Sequence, residues 1–116
     1  MVFNLVSKID FKVRNFPTFI ITQYDKGVIY DFIVIDRVGD FMSLDDYDIF
    51  IYYEMPTKTI KEKARVNNNM VRLILNDTVT RTVGEVRVGV RFVNKETKED
   101  FSKIACKLVI EKAIGR

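Results

Sequence analysis

The stretch VGDFMSLDDYDIFIYY, Val38 to Tyr53, places four aspartates (Asp40, Asp45, Asp46, Asp48) within nine positions and then runs into β-branched and aromatic residues. Carboxylates so crowded can ligate a hard cation or share protons as a general acid and base. The spacing supports neither. DRVGDFMSLDDYD lacks the alternating ligands and closing glutamate of an EF-hand loop. No apolar cleft in the local sequence is placed to raise one carboxyl pKa above the other. The chain has no histidine, which removes the commonest general base and the commonest transition-metal ligand. Its one thiol, Cys106, falls in alternation with Ile104, Leu108 and Ile110, which makes it a core side chain and chemically inert. The reading is of a protein that is not an enzyme, with no catalytic residue, no metal site and no cofactor. Asp45 and Asp46 are then turn formers that bond to their own backbone, and Asp48 points away from the inward Ile49 and Ile51.

Two further groups have the chemistry of binding. Arg87, Arg91, Lys103 and Lys107 would line one face of a paired final hairpin, a possible footprint for phosphate backbones. Glu85, Glu99 and Glu111 dilute that charge and no nucleic-acid motif accompanies it, so a solvated sheet face is the reading taken, with no nucleic acid as partner. Phe50 and Tyr52 are different. Ile49, Ile51 and Tyr53 already supply that strand's share of a core, so Phe50 and Tyr52 lie on its other face and are the candidate partner-binding residues. Exposed aromatics also stack on sugars, although the chain has no tryptophan.

The elements that must position these residues are strands. Period-two alternation runs through nearly every segment, and no segment holds helical spacing for several turns. Ile9, Phe11 and Val13 alternate with Asp10, Lys12 and Arg14 up to Pro17. VIYDFIVI is apolar on both faces, as expected of a central strand covered twice or covered once by a partner. TIKEKARV leads through Asn67, Asn68 and Asn69, residues that tolerate left-handed backbone, into MVRLIL. Asn76 or Asp77 would cap a short helical turn ended by Gly84. EVRVGVRFV and FSKIACKLVIEK pair across the polar loop NKETKED. The expected architecture is all-β: an immunoglobulin-like antiparallel β-sandwich of about eight strands, filling residues 1–116 as one domain.

At 116 residues, 47% hydrophobic and 30% charged, the chain can fill one core without a metal or disulfide staple. Nineteen basic and sixteen acidic residues are interspersed and leave a formal charge of +3, too small a surplus to imply a polyanionic partner. No signal peptide or membrane-spanning run is legible, which fits synthesis in a reducing cytoplasm.

In order, IDFKV, QYDKG, VGDFMSLDDYDIFIYY, an asparagine turn before MVRLIL, VGEVRVGVRF and FSKIACKLVIEK resemble the N-terminal domain of phage baseplate upper proteins. Gly39, Asp40, Leu44, Asp45, Asp46 and Tyr47 stand where that family has a turn and a "dLtg"-like phrase before a core strand. Gly84 matches the glycine before a paired strand, and Ser102 to Ile110 the closing strand. MPTKT departs from the pattern by lacking a glycine. The resemblance spans Ser7 to Glu111 and implies an immunoglobulin-like virion structural domain, made in the cytoplasm of a bacterial host and resident in the tail baseplate. It implies anchoring of the host-recognition apparatus to the baseplate core. The implied partners are other baseplate and tail proteins, a receptor-binding protein carried by a following segment, and further copies of the chain. A host-surface saccharide-binding module on the same sandwich is the alternative.

Overall fold

The computed structural model describes residues 3–115, with side chains from residue 6. Among them are nine strands: β1 (Phe3–Asp10), β2 (Thr18–Thr22), β3 (Val28–Ile35), β4 (Tyr47–Glu54), β5 (Thr59–Lys63), β6 (Arg65–Asn67), β7 (Met70–Ile74), β8 (Gly84–Asn94) and β9 (Asp100–Glu111). They form two sheets, β1-β3-β7-β6 and β2-β9-β8-β4-β5, packed face to face. The all-β sandwich expected from the alternation is what the chain forms. The sheets are mixed, however: β1 pairs with β3 and β2 with β9 in parallel, which corrects the all-antiparallel expectation. A parallel pair needs a crossover, and the chain between each pair supplies one by visiting the opposite sheet.

The core is built from the inward sets of both sheets. Tyr30, Phe32 and Val34 of β3 and Val71 and Leu73 of β7 meet Ile49, Ile51 and Tyr53 of β4 and Val86, Val88, Val90 and Phe92 of β8. Cys106 is fully buried among them, as its alternation partners Leu108 and Ile110 required. Burial pushes its thiol pKa up to about 12.

Local turns follow the sequence closely. Asn68 and Asn69 take positive φ values of 51° and 57° and close the β6–β7 hairpin. The Asn76 side chain accepts the Val79 N–H at 2.9 Å and starts α1 (Asp77–Thr80). That helix stops at Thr80, and Gly84 opens β8 where it was expected to end the helix. Two other expectations are corrected. The first strand ends at Asp10 before Val13, because Asp10 Oδ1 accepts the Lys12 N–H at 2.9 Å and its carbonyl accepts the Val13 N–H at 3.3 Å. Phe11 packs on the core but Val13 is exposed. TIKEKARV is two strands, not one: it breaks at Ala64 and the chain passes from the five-stranded sheet to the four-stranded one.

Candidate docking surfaces

The aspartate-rich stretch resolves into turns. Asp36 Oδ1 accepts the N–H groups of Val38 and Asp40, both at 3.0 Å, and Gly39 takes φ +94° at the tip. A single 3-10 turn, Leu44–Asp46, then delivers the chain into β4, and Leu44 is buried. Asn69 pins this turn from the neighbouring hairpin, accepting the Leu44 N–H at 2.9 Å and donating to the Met42 carbonyl at 3.1 Å. Asp40, Asp45, Asp46 and Asp48 do not converge, and among the described residues no group of three or more cysteines, aspartates or glutamates is arranged to hold a metal ion. Beside these turns a cavity of about 260 Å³ has Phe11, Tyr47, Phe101 and Met42 in its walls. Its aromatic rings are locked edge-to-face, Phe11 on Phe101 at 5.4 Å and Tyr47 on Phe101 at 5.6 Å.

Phe50 and Tyr52 lie on the outer face of the five-stranded sheet, as expected. Each is half-buried beneath charged neighbours. Cross-strand pairing puts Lys63 opposite Phe50 and Lys61 opposite Tyr52, and Lys61 Nζ stands 4.6 Å from the Phe50 ring centre and 5.8 Å from that of Tyr52. On the other side Arg91 Nη1 donates to the Tyr52 hydroxyl at 3.2 Å. That hydrogen bond lowers the Tyr52 pKa from its ordinary value. Arg91 also forks onto Asp100, with Nε to Oδ1 at 2.9 Å, and holds that carboxyl below the usual range.

A β-bulge reshapes this face. Val88 pairs with Cys106 but Gly89 pairs with Ile104, so Ala105 is an extra residue on β9. The sides of its neighbours are thereby exchanged relative to simple alternation. Ile104, expected in the core, lies outside against Gly89, whose Cβ would sit 3.8 Å from the Ile104 side chain. Lys103, expected on the outer basic face, pairs with the buried Val90 and reaches around the sheet to donate to the Val13 carbonyl at 2.6 Å. The basic footprint is therefore Arg87, Arg91 and Lys107, with Arg91 tied to Asp100 and Lys107 to Glu85 at 3.2 Å. Above Gly89 an open cleft of about 400 Å³ is bounded by Tyr52, Glu54, Arg91, Ser102 and Ile104.

The four-stranded sheet presents another outer face. With Tyr30, Phe32 and Val34 inward, Ile29, Asp31, Ile33 and Ile35 of β3 point out, flanked by Val6 and Lys8 of β1 and by Met70, Arg72 and Ile74 of β7. This is the doubly apolar strand read from VIYDFIVI. At its centre Arg72 is bidentate on Asp31, at 2.9 and 3.1 Å, and Asp31 is only 1% exposed. Sequence reasoning missed this pair. Its signal was an aspartate in the middle of an otherwise apolar central strand, a position that demands a partner.

The chain matches no protein-family model and no curated protein sequence. Among solved structures its fold is similar to the N-terminal domain of ORF48 of phage TP901-1, with a TM-score of 0.71 and 14% sequence identity. The similarity covers 94% of this chain and 98% of that one, so the two sandwiches coincide almost from end to end.

Proposed function

We propose that this chain is a non-enzymatic structural domain of a phage tail baseplate, a single domain over residues 1–116 that works by docking onto neighbouring baseplate proteins in the virion. The observation that carries the reading is the end-to-end match to a domain of a phage protein. The resemblance of VGDFMSLDDYDIFIYY and its flanking segments to baseplate upper proteins adds the location and the anchoring role. The aspartate cluster fits that role, since its Leu44–Asp46 segment is a backbone turn that feeds a core strand.

Phe50 and Tyr52 are proposed as one docking patch. The aromatic rings with Lys61 and Arg91 over them form a rigid platform of the kind that supplies interface anchors. Purified tail particles from the source phage or prophage provide the test. Mass spectrometry should find this chain in them, and antibody labelling should place it at the distal end of the tail. Absence from purified particles would refute the proposal.

The saccharide-binding alternative has one observation in its favour, the cleft above Gly89, where Tyr52, Glu54, Arg91 and Ser102 offer a ring and several polar groups. Gly89→Val would fill that cleft at a residue whose Cβ has ordinary contact distances. Binding to a glycan array that this substitution removes would move the reading to a host-surface module.

A further inference from the structure

We propose that the open edge of β1 is a strand-addition site, which takes an extended acidic peptide segment from another polypeptide as an extra strand of the four-stranded sheet. This site lies apart from the Phe50 and Tyr52 patch and goes beyond the baseplate reading.

The phase of the β1 ladder fixes which groups are available. Phe11 N–H donates to the Ile35 carbonyl at 2.9 Å, so the odd-numbered residues of β1 face β3. In a parallel ladder alternate residues turn their N–H and C=O to opposite sides, which leaves those of Val6 and Lys8 on the open edge. At Asp10 the edge closes, because its carbonyl accepts the Val13 N–H. The other sheet edges are poorer templates. Three-residue β6 is too short, the Thr22 N–H of β2 is taken by Asp25 Oδ2 at 3.1 Å, and β5 carries Lys61 and Lys63. β1 is eight residues long, and Val6 on it is 60% exposed.

A groove of about 610 Å³ runs beside this edge, between β1 and the segment leading into β2. Val6, Val13, Phe16, Pro17 and Ile33 make it apolar, as a strand with alternate apolar side chains requires. Charge selects the occupant. Among the described residues no carboxylate is bound to Lys8, which lines the groove, Arg14 is exposed between two lining residues, and Lys103 Nζ is held at the Val13 carbonyl. The one acid in the wall, Asp10, accepts the Lys12 N–H and offsets only one of these three cations. An added strand with carboxylates opposite Lys8 satisfies this surplus, and a second copy of β1 would bring another Lys8 instead.

The test uses a short synthetic peptide of alternating valine and glutamate, its valine–lysine counterpart, and amide exchange read by NMR. The acidic peptide should bind, slow exchange at Val6 and Lys8, and bind at least about tenfold better than the basic one. Val6→Pro removes an N–H that the β3 ladder does not use, so it should keep the thermal midpoint and lose binding about tenfold or more. Should that variant fold poorly, Lys8→Glu keeps the test open and should reverse the peptide preference. Equal binding of both peptides, no protection at Val6 and Lys8, or self-association in sedimentation that Val6→Pro abolishes would each overturn the proposal.

Discussion

The outer faces of the two sheets carry the same bond, an arginine forked onto an aspartate, in opposite settings. On the four-stranded sheet Asp31 is sealed at the centre of an apolar face, its side chain 2% exposed, and Arg72 is its lid. On the five-stranded sheet Arg91 and Asp100 are 40% and 42% exposed amid other charges. Both forks use the guanidinium Nε and Nη2, so burial decides what each bond does. A sealed carboxylate deprived of its guanidinium has no water to turn to, whereas an exposed one is rehydrated at once.

The sharpest way to break this comparison is one substitution on each face. Arg72→Met should lower Tm by about 10 °C or more, because a buried charge loses its bidentate partner. Arg91→Met should move Tm by no more than about 3 °C. Replacing both members of the buried pair, Asp31→Leu with Arg72→Leu, should recover most of the loss, since a matched apolar pair leaves no charge to solvate. Thermal melts of the four proteins read all of this. Equal losses for Arg72→Met and Arg91→Met would show that the two faces are energetically alike.

Alkaline pH probes the core between the faces. Burial holds the proton on Cys106 up to about 12, against an ordinary 9.0, and raises Tyr30 to about 12, first by desolvation. Above the ordinary thiol pKa the unfolded chain releases a proton that the folded chain retains, so stability is full below pH 9 and declines as pH rises toward 12. The thiol's share is on the order of 4 kcal/mol over that window. Cys106→Ala should be less stable at neutral pH, having left a cavity, yet should decline less steeply above pH 9. Urea titrations across that range measure the slopes. Rapid labelling of native Cys106 by a thiol reagent would contradict the burial on which this rests.

How far the sequence could be read depended on whether a feature was local. Turn chemistry was legible at Asn68 and Asn69 and at the Asn76 cap, since each bonds to backbone close by in sequence or to one adjacent hairpin. In the aspartate region the side chain that accepts from backbone is Asp36 and not the expected Asp45 or Asp46, which turn through their backbone alone. Inward sets on β4 and β8 were legible because alternation there is unbroken. Failures came where one residue changes the phase or a long-range partner decides. Ala105 is such a residue: the bulge it makes exchanged Ile104 and Lys103 between faces, and nothing in FSKIACKLV marks it. Parallel pairing of β1 with β3 and of β2 with β9 is set by crossovers, which alternation does not encode. The Asp31–Arg72 bond joins residues 41 positions apart, so only the need for a partner was visible.

A small expected effect on stability, and the one that bears most on docking, is at Phe50 and Tyr52. Alternation placed them outside the core, where water is a poor cover for two aromatic rings. The fold supplies partial cover from its own sheet: Lys61 lies over both rings and Arg91 holds the Tyr52 hydroxyl. Exposed cation–aromatic contacts contribute little to folding, so Phe50→Ser with Tyr52→Ser should leave the melting curve within about 4 °C of the parent. Assembly should respond more strongly, because flat aromatics already held in place lose little entropy on docking. Reconstitution with co-expressed tail proteins, followed by size-exclusion chromatography, gives the readout. Loss of the complex with an intact fold places the contact at these rings. An unfolded double variant would mean that the rings serve the fold, and normal assembly would move the contact to the apolar face around Asp31, where the burial of a charge already resembles the inside of an interface.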